Sequence, residues 1–291
     1  MKIVSFYESD RGSAGGSADG TSRAAARLGV VTPEGVLDVG MDASSFFAGG
    51  QGEPARLHDL VASAGDRPIV GDLDSLALAP TVPAPGKILC VGLNYRRHAA
   101  ESGMAEPKEP VLFSKFNNTL APHGAAVSIA GLQQVDYESE LAVVIGRRGK
   151  EIPEVDALDH VLGYLNSNDV SERELQMRSG QWLLGKSVDG FLPLGPFLVT
   201  ADEADDPQDM RVRGWLNGDL RQDSTTADMI FSVAEIIAYA SRFMTLEAGD
   251  VILTGTPEGV VLGRPQKDWV VPGDTYEVEV EGLGRLTTKF V

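Results

Sequence analysis

The sequence predicts a β-rich α+β fold, with a small β-rich module ahead of a larger domain. Three observations point there. Apolar, β-branched runs recur from about residue 87 to the C-terminus, few segments carry helical periodicity, and strands and helices do not alternate as a doubly wound sheet requires. The stretch Ala79–Lys87, "APTVPAPGK", places three prolines in nine residues and marks the boundary. Residues 1–80 are read as the small module and residues 85–291 as the main domain.

In chain order, "KIVSFY" reads as a strand and the small, polar "RGSAGGSADG" (Arg11–Gly20) as an exposed loop. "RLGVVTPEGVLDV" has the form of a hairpin turning at Pro33-Glu34-Gly35. In "RLHDLVASAG", Leu57, Leu60 and Val61 share a helical face, with Gly65 as the stop. Beyond the boundary, strand-like runs include "KILCVGLNY", "PVLFSKF", "SELAVVIG", "VLGYLNSNDV", "LPLGPFLVT", "VRGWLNGDLR", "DVILTGT" and "TYEVEVEGLGRLTTKFV". Three further helices are expected. "EVDALDHVLG" would end at Gly163, "SERELQMRS" would open on Ser171 with Glu174 in capping-box register, and "SVAEIIAYASRFM" repeats that register with Ser232 and Glu235.

Composition narrows the partners. Twenty-five Lys and Arg against 42 Asp and Glu give a net charge of −17, which argues against nucleic acid and anionic membranes. The single cysteine, Cys90, rules out an intramolecular disulfide and a thiolate metal site, and its apolar context "KILCVG" predicts a buried, inert thiol. No stretch approaches the ~18 apolar residues of a membrane span, and the start lacks an apolar leader, so a cytoplasmic setting is the expectation.

Against that background, "VDYESELAVVIG" (Val135–Gly146) is anomalous. Its composition suits a buried strand, yet Asp136, Glu138 and Glu140 stand at alternate positions and so on one strand face. Two ionised carboxylates about 6 Å apart repel by about 3 kcal/mol at an effective dielectric near 20. A cation or a shared proton would relieve that repulsion, as would solvent if the strand lay at an edge. Asp169 in "NSNDVSEREL" follows a strand-like run beside a helix start, and with Glu138 and Glu140 it forms a candidate all-oxygen site. Such ligands suit Mg²⁺ first, then Mn²⁺ or Ca²⁺.

Other residues carry chemistry by their neighbours. In "GLNYRRHAAESG", Glu101 follows His98 at helical spacing, where a carboxylate orients an imidazole and stabilises its charged form. Lys115 in "VLFSKF" and Lys186 in "WLLGKSVDGF" sit in apolar runs, and either would bind a substrate carboxylate or enolate, or in the case of Lys186 pair with Asp189. Gln176 is an uncharged donor on the helix after Asp169. In "GDVILTGTPEGV", successive backbone N–H groups and the Thr256 hydroxyl suggest an anion-holding turn.

Together, "GLNYRRHAAE", "LFSKF", "DYESELAVVIGR", "GYLNSNDVSERELQ", "GKSVDGFLPLGP", the stretch from "STTADMIF" to "VILTGTPEGV", and "PGDTYEVEVEGLG" resemble the fumarylacetoacetate hydrolase family, from about Lys87 onward. The resemblance implies a mixed β-sandwich roll, a homodimer, and Mg²⁺ or Mn²⁺ held by Glu138, Glu140 and Asp169. It also implies that Asp136 backs the site without ligating and that His98 and Glu101 form a dyad on a lid. Lys186 would then be catalytic, with Gln176 and Thr256 binding substrate.

The implied substrate is a small anionic 2-oxo acid. The first expectation is a hydrolase that cleaves a C–C bond of a 2,4-dioxo acid (an acylpyruvate, fumarylpyruvate or diketo sugar acid), with the dyad activating water. The alternatives are a decarboxylase or isomerase of oxaloacetate or hydroxymuconate-type diacids on the same site, or a ureidoglycolate lyase. A catalytically silent binder of 2-oxo acids is a third class, disfavoured by the presence of both His98 and Glu101.

Overall fold

Strand Ser139–Ile145 is buried on both faces, which is why it reads as an apolar run once past its acids. Leu141, Val143 and Ile145 enter one core with Ile236, Ile237 and Ala240 of helix Val233–Phe243. Ala142 and Val144 enter a second core with Phe46, Cys90 and Leu165. A one-residue slip would exchange the two sets, so packing pins the register of the strand that carries Glu140.

The computed structural model describes residues 1–8, 25–49, 54–63 and 67–291. The loop expected at Arg11–Gly20 and the helix stop expected at Gly65 lie outside the described residues. Ser139–Ile145 sits inside a ten-stranded mixed sheet. On one side it pairs antiparallel with Val251–Leu253, followed by Ile88–Gly92 and the edge strand Val111–Lys115. On the other come Val161–Asn168, Leu192–Thr200, Lys2–Phe6, Arg27–Thr32 and Gly35–Asp42. The first strand therefore extends the main sheet, with Lys2 opposite Val199 and Ile3 opposite Leu198.

A five-stranded sheet runs Asp219–Thr225, Arg211–Leu216, Thr275–Val280, Leu286–Phe290 and Ala126–Val127. Val212 and Val280 from it meet Leu141 and Val143, closing the strand-rich α+β architecture that the sequence predicts. A third, two-stranded piece pairs Val135–Asp136 with Ser171–Glu172. It lies where both candidate ligand stretches bend out of the large sheet.

The helices divide. Val233–Phe243 has the predicted capping box, with the Ser232 N–H donating to Glu235 at 2.7 Å and the Glu235 N–H to Ser232 at 3.2 Å. Pro54–Ala62 matches the second expectation. Two others differ. "EVDALDH" is a 3₁₀ helix, Glu154–His160, and Gly163 belongs to the strand that follows, because Val161 already pairs with Ile145. The helix after Asp169 runs only from Arg173 to Met177, and its cap is Glu172, which accepts from the Leu175 N–H at 2.6 Å. Ser171 is in the short strand and turns its hydroxyl to the Asp169 carbonyl.

Candidate active site

The strand carrying the acids is interrupted. Val135–Asp136 and Ser139–Ile145 belong to different sheets, with Tyr137 and Glu138 between them. A break in a buried strand frees backbone N–H groups, and each needs a partner. The Glu138 N–H donates to Asn168 Oδ1 at 3.1 Å and the Ser139 N–H to Gln222 Oε1 at 2.8 Å. The Asp169 N–H donates to the Glu138 carbonyl at 3.0 Å, tying the two ligand stretches together.

This geometry brings one oxygen each of Glu138, Glu140 and Asp169 within 4.8 Å of one another, all three residues buried. Asp136 is excluded from the group, which corrects the reading of three acids on one face. Its carboxylate accepts from the Val261 and Leu262 N–H groups at 2.8 and 3.0 Å and from Arg173 Nε at 2.8 Å. It fixes a loop instead.

Three buried cations answer the acids. Lys186 Nζ donates to Glu138 Oε2 at 2.7 Å and Asp169 Oδ2 at 2.8 Å, so its partner is not Asp189, which accepts from Asn118. Arg173 bridges Asp136 and Glu138 at 2.8 and 2.7 Å. Lys115 Nζ takes Asp169 Oδ1 at 2.5 Å and the Val170 carbonyl at 3.0 Å. Lys115 lies behind Asp169 and off the cavity wall, so the expected contact with substrate is replaced by support of a carboxylate.

Charge and burial act on each group differently. Burial pushes the Glu138 carboxyl up, but Lys186 and Arg173 overcome it and bring the pKa down to about 2. Glu140 has no cation of its own. Burial, reinforced by Asp169 and Glu138, drives its pKa well above the ordinary carboxylate value. Burial lowers Lys186, yet Asp169 and Glu138 outweigh it and raise the ammonium pKa; for Lys115 burial prevails and the pKa falls.

A divalent cation fits this donor set. Four buried acids (Asp136, Glu138, Glu140, Asp169) face three buried bases (Lys115, Lys186, Arg173), so with every group ionised the floor carries one negative charge in excess. The strained member is Glu140, whose only hydrogen-bond donor is the Gly255 N–H at 2.9 Å. Glu138 and Asp169 keep lone pairs beyond those their lysines and arginine use, and Glu140 keeps those the Gly255 N–H leaves. All donors are oxygen, as hard ions prefer.

Above the floor opens a cavity of 480 Å³ lined by Glu138, Glu140, Arg173, Gln176, Lys186 and Thr256. Its other walls are Phe113, Trp182, Met104, Met177 and Leu262. The Trp182 ring covers Gly92 so closely that a Cβ there would stand 2.5 Å from it, which is why the last residue of strand Ile88–Gly92 carries no side chain. Arg173 Nη1 donates to Gln176 Oε1 at 2.8 Å, and since arginine only donates, this leaves the Gln176 amide hydrogens free for a ligand. The Thr256 hydroxyl is already engaged, donating to the Ser139 carbonyl at 3.1 Å and accepting from Gln222 at 2.9 Å. The anion held by the turn is the protein's own Glu140.

Helix Arg96–Glu101 forms part of the rim and places His98 and Glu101 on the cavity. His98 Nδ1 lies 3.6 Å from Glu101 Oε2, longer than a hydrogen bond, and is buried without another partner. Glu101 turns both oxygens to the Gly259 N–H at 3.1 and 3.2 Å. Burial raises its pKa, but facing His98 and the Gly259 N–H leave it below the ordinary value.

Sequence reasoning did not find Arg173 or Gln222. Both are buried, Gln222 completely, and Gln222 also accepts from Tyr276 at 2.8 Å. The one available signal, for Arg173 alone, was an arginine immediately after the Asp-Val-Ser-Glu stretch Asp169–Glu172.

Fold and cavity together define an enzyme of the fumarylacetoacetate hydrolase class. Residues 87–291 match the family described as "Fumarylacetoacetate (FAA) hydrolase C-terminal", and the chain belongs to that family. It is similar to the mitochondrial oxaloacetate tautomerase fahd2 of Xenopus laevis, 44% identical over 220 residues that cover 75% of this chain and 69% of that protein. Mitochondrial oxaloacetate tautomerase FAHD2A of Homo sapiens is 43% identical over 244 residues, covering 83% and 77%. Among solved structures, a putative HpcE protein from Mycobacterium smegmatis superposes with a TM-score of 0.82 at 35% identity, covering 100% of this chain and 99% of that one. A 2-hydroxyhepta-2,4-diene-1,7-dioate isomerase from Mycobacterium marinum gives 0.72 at 30% identity, covering 100% and 98%. The named tautomerases are mitochondrial, a compartment other than the cytoplasmic one expected from the sequence. Among the described residues, no helix is long and apolar enough to cross a membrane.

Proposed function

We propose that the protein is a metal-dependent tautomerase or isomerase of 2-oxo diacids of the oxaloacetate class. The observation that carries this reading is a single buried imidazole, His98, on the same cavity as the Glu138–Glu140–Asp169 group, with Nδ1 unpaired. A divalent ion held by those three carboxylates, Mg²⁺ or Mn²⁺, supplies when bound an electron sink that acidifies the carbon next to a 2-oxo group.

The chain's own residues supply the rest. Lys186 and Arg173 keep Glu138 ionised, and Lys186 with Lys115 fixes Asp169. Gln176 offers its amide hydrogens to a substrate carboxylate or carbonyl. Phe113 and Trp182, edge to face at 5.3 Å, shield the reacting carbons from water. Keto–enol conversion breaks the enol O–H bond and forms a C3–H bond as the double bond shifts from C2=C3 to C2=O, with no other σ bond made or broken. His98 can take the proton from one atom and return it to the other, while Glu101 stabilises the imidazolium between the two transfers.

Hydrolysis asks for more, because water must be held and deprotonated by an assembled His98–Glu101 pair. Here Glu101 is turned to Gly259 and the pair is 3.6 Å apart. This geometry and the names of the tautomerase relatives support the isomerase alternative above the C–C hydrolase put first from the sequence. The hydrolase stands second, favoured by the adjacency of His98 and Glu101 and by a fumarylacetoacetate hydrolase from Exiguobacterium antarcticum, similar at 35% identity with a TM-score of 0.78. The resemblance also supports a homodimer, which light scattering would refute by returning the mass of one chain.

The test follows the ultraviolet absorbance of enol-oxaloacetate with Mg²⁺ or Mn²⁺ and again after chelation, beside CO₂ release and acylpyruvate cleavage. The expected result is enol decay above the buffer rate that disappears with the metal, and acylpyruvates left intact. Enol decay no faster than buffer, or acylpyruvate cleavage as the faster reaction, would sink the reading.

A further inference from the structure

We infer that Lys267 binds the distal carboxylate of the substrate at the mouth of the cavity; this deepens the 2-oxo diacid reading and rests on it. Three cations line the cavity: Arg173, Lys186 and Lys267. The first two are buried and already face carboxylates. Lys267 is exposed and, among the described residues, has no carboxylate within ion-pair distance.

The nearest acid in sequence is accounted for. Asp268 accepts from Gln266 Nε2 at 2.7 Å through one oxygen, and its other oxygen faces Arg221 Nη1 at 3.9 Å. Lys267 Nζ instead donates to two backbone carbonyls of its own loop, Leu262 and, at 2.6 Å, Arg264. An ammonium has three N–H donors, so one is unclaimed, as is the full positive charge. The two carbonyl contacts hold the charge in place, so little ordering is left to a ligand.

The same cavity has apolar lining in Met104, Phe113, Met177, Trp182 and Leu262. A molecule with anionic groups at both ends and a short carbon chain matches a cavity that offers a cation-binding acid group, apolar walls and an ammonium. A monocarboxylate would set an apolar end against an unpaired ammonium. Lys267 is therefore assigned to choosing between diacids and monoacids, and no part of the proton transfer runs through it.

Two measurements on the full-length, Mn²⁺-loaded protein test the assignment. The first compares kcat/KM for enol-oxaloacetate and enol-phenylpyruvate in wild type, Lys267→Met and Lys267→Arg. The preference for the diacid should fall about fivefold in Lys267→Met, the upper end for one exposed charge pair, through KM rather than kcat. Lys267→Arg should recover most of it. The second titrates 2-oxoglutarate and 2-oxobutanoate calorimetrically, where Lys267→Met should weaken only the first, by the same factor. Equal losses for both acids, or no loss for either, overturn the assignment. If wild type turns over neither enol but the calorimetric difference holds, the tautomerase reading falls and the lysine assignment stands. If turnover is normal and the variants do not discriminate, only the lysine assignment falls.

Discussion

At the floor of the cavity every ionisable group is less than a tenth exposed, and all but Glu140 grip another ionisable group: Glu138 with Lys186 and Arg173, Asp169 with Lys186 and Lys115, Asp136 with Arg173. At the rim, Glu101 and Lys267 are held by one loop through a backbone N–H and backbone carbonyls. The floor is thus organised before any ligand arrives, and its polar groups bear on stability as well as chemistry. Rim contacts are few and partly wet, so they can change at low cost to the fold. The charge proposed to act in catalysis sits in the first region, and substrate choice is assigned to the second.

The sharpest way to break this comparison is Lys186→Met. It leaves Glu138 and Asp169 buried against a thioether, and removing one partner of a buried pair costs about 3–5 kcal/mol. The metal-free variant should melt well below wild type, and Mn²⁺ should restore part of the loss by binding only the folded state. An unchanged Tm would show that the floor is not electrostatically organised.

Gln222→Leu comes next. It removes the acceptor of the Ser139 N–H, at about 2 kcal/mol for the buried group left unpaired, while the Tyr276 hydroxyl loses one partner and keeps Ser139 Oγ at 2.8 Å. Because Ser139 lies between two ligands, Mn²⁺ affinity measured by titration should also fall about tenfold, the low end for a residue supporting metal ligands. Lost stability with unchanged affinity would confine Gln222 to packing.

The third effect follows from Glu140. Its folded pKa is raised, so a proton it holds above the ordinary carboxylate value must leave when a cation binds. Metal affinity should therefore weaken as pH falls through the raised pKa, by up to about tenfold per unit for one proton released. Glu140→Gln should abolish the dependence along with most of the binding. A pH-independent affinity in wild type would contradict the direction of the shift.

Smallest is Glu101→Gln at the rim, expected to cost less than about 1 kcal/mol because the group is partly exposed. The folded pKa of Glu101 is lowered, so its contribution is present above the ordinary value and lost as pH falls through the folded one. The melting temperatures of variant and wild type should differ slightly at neutral pH and converge as pH falls through the lowered folded pKa. A loss as large as that of Lys186→Met would erase the distinction between floor and rim.

The chemistry-bearing residues were largely legible because they interrupt patterns. Glu138 and Glu140 break an apolar run, Lys186 stands among leucines and glycines, and His98 has Glu101 one helical turn away. Misreadings arose where a local pattern met a distant constraint. Asp136 obeys the alternation but leaves the group because the strand breaks at Tyr137, and "EVDALDH" tightens to a 3₁₀ turn because its end is drawn into a sheet. Lys115 looked available to substrate, yet Asp169, 54 residues away, claims it.

Composition and local periodicity alone determined that this is a strand-rich α+β chain with an all-oxygen acid group and a histidine–glutamate pair, since side-chain chemistry and residue spacing are properties of short segments. Only tertiary structure decided what holds Asp136 apart from the acid group, which cations neutralise that group, and which lysine on the cavity lacks a carboxylate partner among the described residues. Those outcomes depend on contacts such as Asp136–Arg173 and Ser139–Gln222, 37 and 83 residues apart, and no short window of sequence contains both partners.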